Sequence, residues 1–244
     1  EKILGIDDAY LSKGEDASYI SHDGLRVSAR LYLPSKFLGF KGKRPLVYYI
    51  HGGPQGQERP DFAWFSMPLI QFLTLRGFAV FVPNVRGSTG YGKDFERANY
   101  NDWGVGDTQD CLYGAKYLRT IKDVKPDRIA ISGGSYGGYM TINALSRDPE
   151  YLFACGVAKY GDSNLVSSWA QCEKRLRIYT EIFLGHPSAS LDIYLKGSPI
   201  ADAKNIQKPV LILHGLLDTV VPPEASEEWV EALRREGKTF EYKT

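Results

Sequence analysis

The sequence Arg128-Ile-Ala-Ile-Ser-Gly-Gly-Ser-Tyr-Gly-Gly-Tyr-Met140 places a short apolar run before a serine that stands between glycines. The run predicts a β-strand, and the residues after the serine predict a helix that ends at Arg147-Asp148-Pro149. Gly133, Ser135 and Gly137 fit the Gly-x-Ser-x-Gly pattern of a sharp strand-to-helix turn, in which glycines let the two elements approach closely. Such a turn presents the serine hydroxyl as a nucleophile, provided that a base is nearby. The alternative is a glycine-rich turn with a bystander serine, and the strand–turn–helix context favours the nucleophile.

The composition predicts a single α/β domain over residues 1–244. The 30 basic and 29 acidic residues give a formal net charge of +1 and form no basic tract. We therefore expect neither nucleic acid nor an anionic membrane as a partner. The longest apolar runs have the length of strands, so no bilayer span is predicted, and residues 1–5 lack the features of a signal peptide.

Three cysteines without paired spacing indicate buried thiols in a reducing compartment, and we expect the cytoplasm. The four histidines are scattered without the spacing of metal ligands, so no metal site is expected, and no cofactor either. The sequence leaves homo-oligomerisation open.

The remaining segments alternate between strand and helix patterns. A hairpin is predicted around His22-Asp23-Gly24, from residues 17–21 and 25–33. Further strands are expected at 45–50, 78–82, 128–132, 153–158, 210–214 and 239–243, and further helices at 65–76, 107–121 and 223–235. This alternation predicts the α/β class, with a mostly parallel sheet and helices on both faces.

The segment His51-Gly-Gly-Pro54 directly follows a predicted strand, at the sheet edge where ligands bind in open α/β sheets. A serine hydrolase needs preorganised donors for the negative charge that develops on the acyl oxygen. We expect the backbone N–H groups of Tyr136 and Gly53 to be these donors. For His51 itself, a role in bracing the loop is favoured over direct catalysis.

The segment His214-Gly-Leu-Leu-Asp218 delivers an acidic residue just past the end of another predicted strand. A catalytic triad needs a carboxylate at such a place, where it orients an imidazole and stabilises its cation. Asp218 also follows Ser135 in the chain order serine, acid, histidine that this fold class uses. The alternative is that Asp218 caps the following helix. For His214 we expect a buried structural role.

The glycine-rich loop 84–92 lacks the spacing of a phosphate-binding loop, and no helix is expected to open at its glycines. We predict that it shapes the pocket wall, with Arg86 in a local ion pair. Asp107 and Asp110 are expected to cap the next helix.

The insert 160–207 is too long for a simple connection and is predicted to fold as helices over one end of the sheet. It forms a lid or substrate pocket, with Trp169 as a candidate substrate-binding residue, or it is ordinary helical padding.

Taken together, four motifs resemble the catalytic α/β-hydrolase domain of the prolyl oligopeptidase family of serine peptidases, in particular its acylaminoacyl-peptidase-like branch. In chain order they are His51-Gly-Gly-Pro, Arg86-Gly-Ser-Thr-Gly, Gly133-Gly-Ser-Tyr-Gly-Gly and His214-Gly to Pro222. The resemblance covers nearly the whole chain. It implies that Ser135 is the nucleophile, that Asp218 is the triad acid, and that Gly53 and Tyr136 supply the oxyanion donors.

The chain departs from the family's pattern in two ways. Family members usually carry an N-terminal β-propeller that screens substrates by size, and nothing in these residues forms one, so small esters are also expected to reach Ser135. The family places its catalytic histidine in a loop after the last strand, which begins here at Thr239. The sequence stops at Thr244, before that loop, and we expect the natural protein to continue.

Three functions follow from this pattern. The first is a serine hydrolase that cleaves peptide bonds through an acyl-enzyme on Ser135. The second is a carboxylesterase of the same fold, and the third is a non-catalytic binding module, which the missing histidine motivates. Within this sequence, His51 or His214 would have to act as the general base, but neither lies where the resemblance places the catalytic histidine.

Overall fold

The computed structural model describes residues 5–61 and 65–244, so residues 1–4 and 62–64 of the predicted domain lie outside the described part. Within it, eight strands form one sheet in the order β1-β2-β4-β3-β5-β6-β7-β8. The strands are β1 (Glu15–Ile20), β2 (Arg26–Tyr32), β3 (Arg44–Ile50), β4 (Ala79–Asn84), β5 (Val124–Gly134), β6 (Cys155–Lys159), β7 (Val210–Leu213) and β8 (Phe240–Lys243). The pairs β1–β2 and β2–β4 are antiparallel, and the pairs from β4 to β8 are parallel. The predicted fold class is confirmed.

Helices cover both faces of this sheet. They are α1 (Met67–Leu75), α2 (Lys93–Arg97), α3 (Gly106–Thr120), α4 (Tyr136–Ser146), α5 (Leu165–Gln171), α6 (Lys174–Leu184), α7 (Pro187–Gly197) and α8 (Glu224–Arg235). Every residue of β4 is buried, as expected of a strand covered on both sides. Val80 shares a small core with Ile70 of α1, whereas Phe81 points the other way into the main core with Met140 of α4. No helix of the described ranges is both long and apolar enough to cross a bilayer.

The predicted hairpin is confirmed. The Ser21 N–H donates to the Leu25 carbonyl at 2.8 Å, and the Asp23 carboxylate accepts from the Leu25 N–H at 3.2 Å. Gly24 occupies the turn at a φ of 87°, which L side chains rarely adopt. The turn thereby fixes the register of β1 against β2.

The loop after β4 differs from the prediction that no helix opens at its glycines. The short helix α2 begins directly after Gly92, which has a φ of 95°. Phe95 anchors α2 because it is buried and its ring lies 5.2 Å from that of Tyr91. One buried residue in five is too short a pattern to predict a helix from sequence.

The prediction that Asp107 and Asp110 cap α3 is confirmed for Asp107, whose carboxylate accepts from the Thr108 N–H of the first turn at 2.8 Å, and is wrong for Asp110. The Gly106 N–H at the start of α3 is bound by the Asp102 carboxylate at 2.9 Å. Both Asp107 and Asp110 are fully buried on the inner side of the helix. Each meets a buried partner there, which the sequence pattern alone does not reveal.

Arg86 lies at the centre of a buried cluster of charges. Its guanidinium donates two hydrogen bonds to Asp110, at 2.8 and 2.9 Å, and two to Asp23, both at 3.0 Å. These hydrogen bonds hold the pKa of Asp23 at about 2. The predicted ion pair of Arg86 is thus confirmed, but its partners come from α3 and from the β1–β2 turn. One side chain therefore joins three elements around the loop that follows β4.

Replacing this arginine, Arg86→Met, should lower the free energy of unfolding by about 3–5 kcal/mol, because Asp110 would remain buried without its cation. Urea denaturation measures the loss. The matched control is Arg234→Met, which breaks a pair with Glu231 in which both side chains are more than half exposed. We expect it to cost less than about 1 kcal/mol. Equal losses in the two variants would contradict the assignment of Arg86 as a structural centre.

Candidate active site

Ser135 stands at the corner between β5 and α4. Its backbone adopts φ 55° and ψ −123°, a conformation that is strained for a residue with a side chain. The strain is held by hydrogen bonds on both sides, since the Ser135 N–H donates to the Lys159 carbonyl at 3.0 Å and its carbonyl accepts from the Tyr139 N–H at 3.0 Å. The strand–turn–helix geometry predicted for the serine is therefore present.

The glycines of the corner are required because backbone from neighbouring strands passes against them. A side chain on Gly137 would fall on the Ile50 carbonyl of β3, and one on Gly133 would meet the same carbonyl. Since a backbone carbonyl in a central strand cannot move aside, only glycine fits at either place. The Gly-x-Ser-x-Gly pattern therefore reflects the close packing of β3, β5 and α4.

The loop after β3 lies directly beside the serine. A Cβ built on Gly52 would stand 3.4 Å from Ser135 Cβ and 4.0 Å from Ser135 Oγ. Gly53, the next residue, and Tyr136 line the same cavity as Ser135. Because Tyr136 is the first residue of α4, its N–H has no acceptor within the helix. Both predicted oxyanion donors are therefore brought to the serine.

The cavity at Ser135 has a volume of about 40 Å³, which is room for a water or two. Its wall on the far side comes from residues 160–207, which fold into α5, α6, α7 and the 3₁₀ helix Pro199–Asn205. Trp169 of α5 is part of that wall, together with Asp162 and Ser168. A larger cleft of about 520 Å³ lies along β1 and β2, but it contains neither Ser135 nor its neighbours.

Asp218 lies in the loop between β7 and α8. Its carboxylate accepts from the N–H groups of Val220 and Val221 at 2.9 and 3.0 Å, and these two residues line the Ser135 cavity. The alternative of a helix cap fails, since α8 begins only at Glu224 and its first turn takes no bond from Asp218. Asp218 instead shapes a loop of the cavity wall and is about a quarter exposed there.

The chain's four histidines all lie in the described residues, and none hydrogen-bonds Ser135. The His51 ring is buried, with Nε2 2.9 Å from Ser88 Oγ and Nδ1 2.6 Å from the Gly52 carbonyl, in agreement with a bracing role. His214 is also buried, with Nδ1 2.6 Å from Ser226 Oγ and Nε2 2.8 Å from the Val221 carbonyl. His22 and His186 contact Ser21 and Ser188. The structure therefore places no histidine of these residues as the base.

A buried carboxyl group contacts Tyr136, the residue next to Ser135. Asp107 accepts a hydrogen bond from the Tyr136 hydroxyl and another from the Thr108 N–H, the latter at 2.8 Å. Burial raises the pKa of Asp107 to about 7, and the nearby charge of Asp110 acts in the same direction. The side chain of a predicted oxyanion residue is thus tied to a group that titrates near neutral pH.

Sequence reasoning missed two acidic residues near the site. The sequence indicates a helix cap at Asp107 but not its contact with Tyr136, and it does not distinguish Asp162 from the other residues of the insert. A signal for Asp162 was available, because it follows β6 just past its carboxyl end and β6 is the neighbour of β5. For Asp107 the signal is absent, since its partner Tyr136 is 29 residues away.

Among residues 5–61 and 65–244, no group of three or more His, Cys, Asp or Glu side chains is arranged to hold a metal ion. The cavity offers three kinds of polar group, namely the Ser135 hydroxyl on its strained turn, backbone N–H donors and carboxyl groups. That set matches acyl transfer through a serine.

Comparison with known proteins identifies the family of this chain. A model of the prolyl oligopeptidase family matches residues 63–244, about three quarters of the chain. The chain belongs to the prolyl oligopeptidase family. The resemblance drawn from the four sequence motifs is confirmed.

Individual members of the prolyl oligopeptidase family agree with this assignment. Dipeptidyl aminopeptidase BIII of Pseudoxanthomonas mexicana is 35% identical over 212 residues, which are 81% of this chain and 29% of that protein. A puromycin-hydrolyzing peptidase of Mycobacterium tuberculosis superposes with a TM-score of 0.88 at 29% identity, over 98% of this chain and 36% of that one. The acylaminoacyl peptidase of Pyrococcus horikoshii gives 0.84 at 30% identity, over 95% and 36%. The chain thus spans about a third of the length of the relatives it matches.

The raised pKa of Asp107 predicts a specific dependence of stability on pH. An unfolded aspartate loses its proton near pH 4, whereas the folded Asp107 keeps it until about pH 7. Between these values the folded state holds the extra proton, so stability falls as pH rises. We expect the free energy of unfolding of the wild type to fall relative to that of Asp107→Asn across this window. Urea denaturation at pH 4, 5.5 and 7.5 measures the difference, and a difference that stays constant would refute the buried neutral carboxyl.

Proposed function

We propose that this chain is the catalytic domain of a serine hydrolase that cleaves peptide bonds through an acyl-enzyme on Ser135. The observation that carries the proposal is the strained turn at Ser135, with a φ of 55° and with Gly52 and the start of α4 on either side. A turn of this kind costs about 1–3 kcal/mol and persists where function requires it. The named relatives are peptidases, which supports a peptide substrate.

The proposed reaction proceeds in two halves. Ser135 Oγ attacks the carbonyl carbon and its proton passes to a histidine, while the N–H groups of Gly53 and Tyr136 hold the oxyanion. The intermediate collapses, the histidine protonates the leaving amine, and an acyl-serine ester remains. Water then attacks this ester with the same histidine as base, which releases the acid and restores the hydroxyl. Each oxyanion donor contributes about 3 kcal/mol to lowering the barrier.

The general base is proposed to come from a histidine outside the 244 residues. Each of the four histidine rings in the sequence has hydrogen-bond partners other than Ser135, and His214 Nε2, which is bound to the Val221 carbonyl, also lies 3.8 Å from Asp218 Oδ2. Asp218 is proposed to orient the incoming imidazole, since it stands beside the cavity wall and keeps one carboxylate oxygen outside its turn.

Substrate contacts are proposed for the wall that residues 160–207 build, with Trp169 as one of them. Trp169 lines the cavity and its indole N–H donates to Glu181 at 2.9 Å, which fixes the orientation of the ring. A fixed aromatic wall favours an apolar part of the substrate next to the cleaved bond.

A reducing compartment such as the cytoplasm is proposed for the protein. The three cysteines are all free in the fold, and two of them, Cys111 and Cys172, are buried. Free buried thiols are typical of proteins that fold under reducing conditions.

The test of the proposed function is turnover by the full-length protein. The variant Ser135→Ala should reduce kcat/KM by on the order of 10⁴–10⁶-fold, because the nucleophile is lost while binding remains. The matched control is Ser146→Ala in the same helix, whose hydroxyl donates to the Ile142 carbonyl away from the cavity. Unchanged turnover in Ser135→Ala would overturn the proposal.

A second comparison separates the peptidase from the carboxylesterase. Anilide and p-nitrophenyl ester substrates with the same acyl group differ only in their leaving group, and the ester needs far less assistance from a general acid. A peptidase cleaves both, and we expect this result. Cleavage of the ester alone would identify a carboxylesterase, and cleavage of neither would favour a binding module.

A further inference from the structure

Asp162 is a carboxylate in the Ser135 cavity that the proposed reaction does not use. It lies between β6 and α5, and it lines the cavity together with Ser135, Ser168 and Trp169. Its one hydrogen-bond partner among the described side chains is Ser168, whose hydroxyl donates at 2.7 Å. Within the described ranges Asp162 enters no ion pair.

The charged groups around Asp162 do not neutralise its negative charge. His214 lies close enough to favour its ionisation, but Asp218 and Glu228 oppose it. Removal of water by the surrounding protein is the largest effect, and it raises the pKa of Asp162 to about 6. Above that pH the cavity holds an ionised carboxylate with a single neutral donor, a state that a bound cation would stabilise.

The size of the cavity admits a small cation, such as the group at the end of an aliphatic chain. Leu165 and Leu176 contribute apolar wall, as does the ring of Trp169. The volume of about 40 Å³ admits a group of the size of water. An ammonium is a compact charge of that size on a flexible apolar stem, whereas a guanidinium is larger and planar. The cavity therefore favours an ammonium.

We propose that Asp162 makes the Ser135 cavity a binding site for an ammonium group of the substrate, adjacent to the bond that is cleaved. Two sources carry this group, a lysine side chain or the free α-amino group of an N-terminal residue. The inference rests on the proposed function for its place in catalysis, but the binding of an ammonium at Asp162 can be measured without turnover.

The first experiment is equilibrium binding to the full-length protein at pH 7, where α-amino groups are mostly protonated, measured by NMR titration with three amides. N-acetyl-lysine amide and N-acetyl-norleucine amide differ by the side-chain ammonium, and norleucine amide carries the α-ammonium instead. A charge-assisted hydrogen bond in this setting corresponds to a preference of about tenfold or more. We expect one ammonium ligand to show it, and which one does so identifies the source.

The variant Asp162→Asn removes the charge and keeps an acceptor for Ser168. It should reduce the preference to less than about threefold, with the affinity for the neutral amide unchanged. Lowering the pH of the wild type from 7 to 5 should have the same effect, because it protonates Asp162. The matched control Glu228→Gln removes a neighbouring charge that binds Asn164 and Ser167, and it should keep the preference. Far-UV circular dichroism of each variant verifies folding.

Equal affinities for the three amides, including no measurable binding of any, would overturn the inference, as would a preference that survives in Asp162→Asn. Turnover separates this failure from failure of the proposed function. Hydrolysis without any ammonium preference would leave the hydrolase and remove the site at Asp162. An ammonium preference that Asp162→Asn abolishes, in a protein without hydrolysis, would keep the site and remove the hydrolase.

Discussion

The tight contact of β3, β5 and α4 at Ser135 is the constraint on which the rest of the site depends. The Ile50 carbonyl occupies the space that side chains on Gly133 and Gly137 would need. Glycine at both positions therefore lets β5 turn directly into α4 against β3. The turn forces Ser135 to a φ of 55° and leaves the first N–H of α4 unpaired. The proposed nucleophile and the proposed oxyanion donor are thus two consequences of one packing arrangement.

Three buried or partly buried carboxyl groups differ in how their negative charge is compensated. Asp110 is compensated by Arg86 and stabilises the junction of three elements, whereas Asp107 is kept near neutrality by burial beneath Tyr136. Asp162 lines the cavity with a single serine as its donor. Asp110 thus contributes to stability, Asp107 holds the side chain of Tyr136 next to Ser135, and Asp162 is the carboxyl group that we propose to bind a ligand.

The sheet, the hairpin and the turn at Ser135 could be predicted from sequence because each has a local cause. Apolar runs mark strands, Asp23-Gly24 marks the hairpin turn, and glycines mark the close approach at the serine. What could not be predicted depends on partners distant in the chain. The hydrogen bond from the Tyr136 hydroxyl to Asp107 joins two helices, and the short helix α2 depends on the burial of Phe95.

The central claim is that Ser135 is an activated nucleophile, and covalent labelling tests it most directly. The full-length protein would be treated with a fluorophosphonate, and its intact mass and peptide map would be measured. The account predicts one adduct per chain, located on the peptide that contains Ser135, since only an activated serine displaces fluoride from phosphorus at a useful rate. The absence of an adduct, or an adduct on another residue, would contradict it.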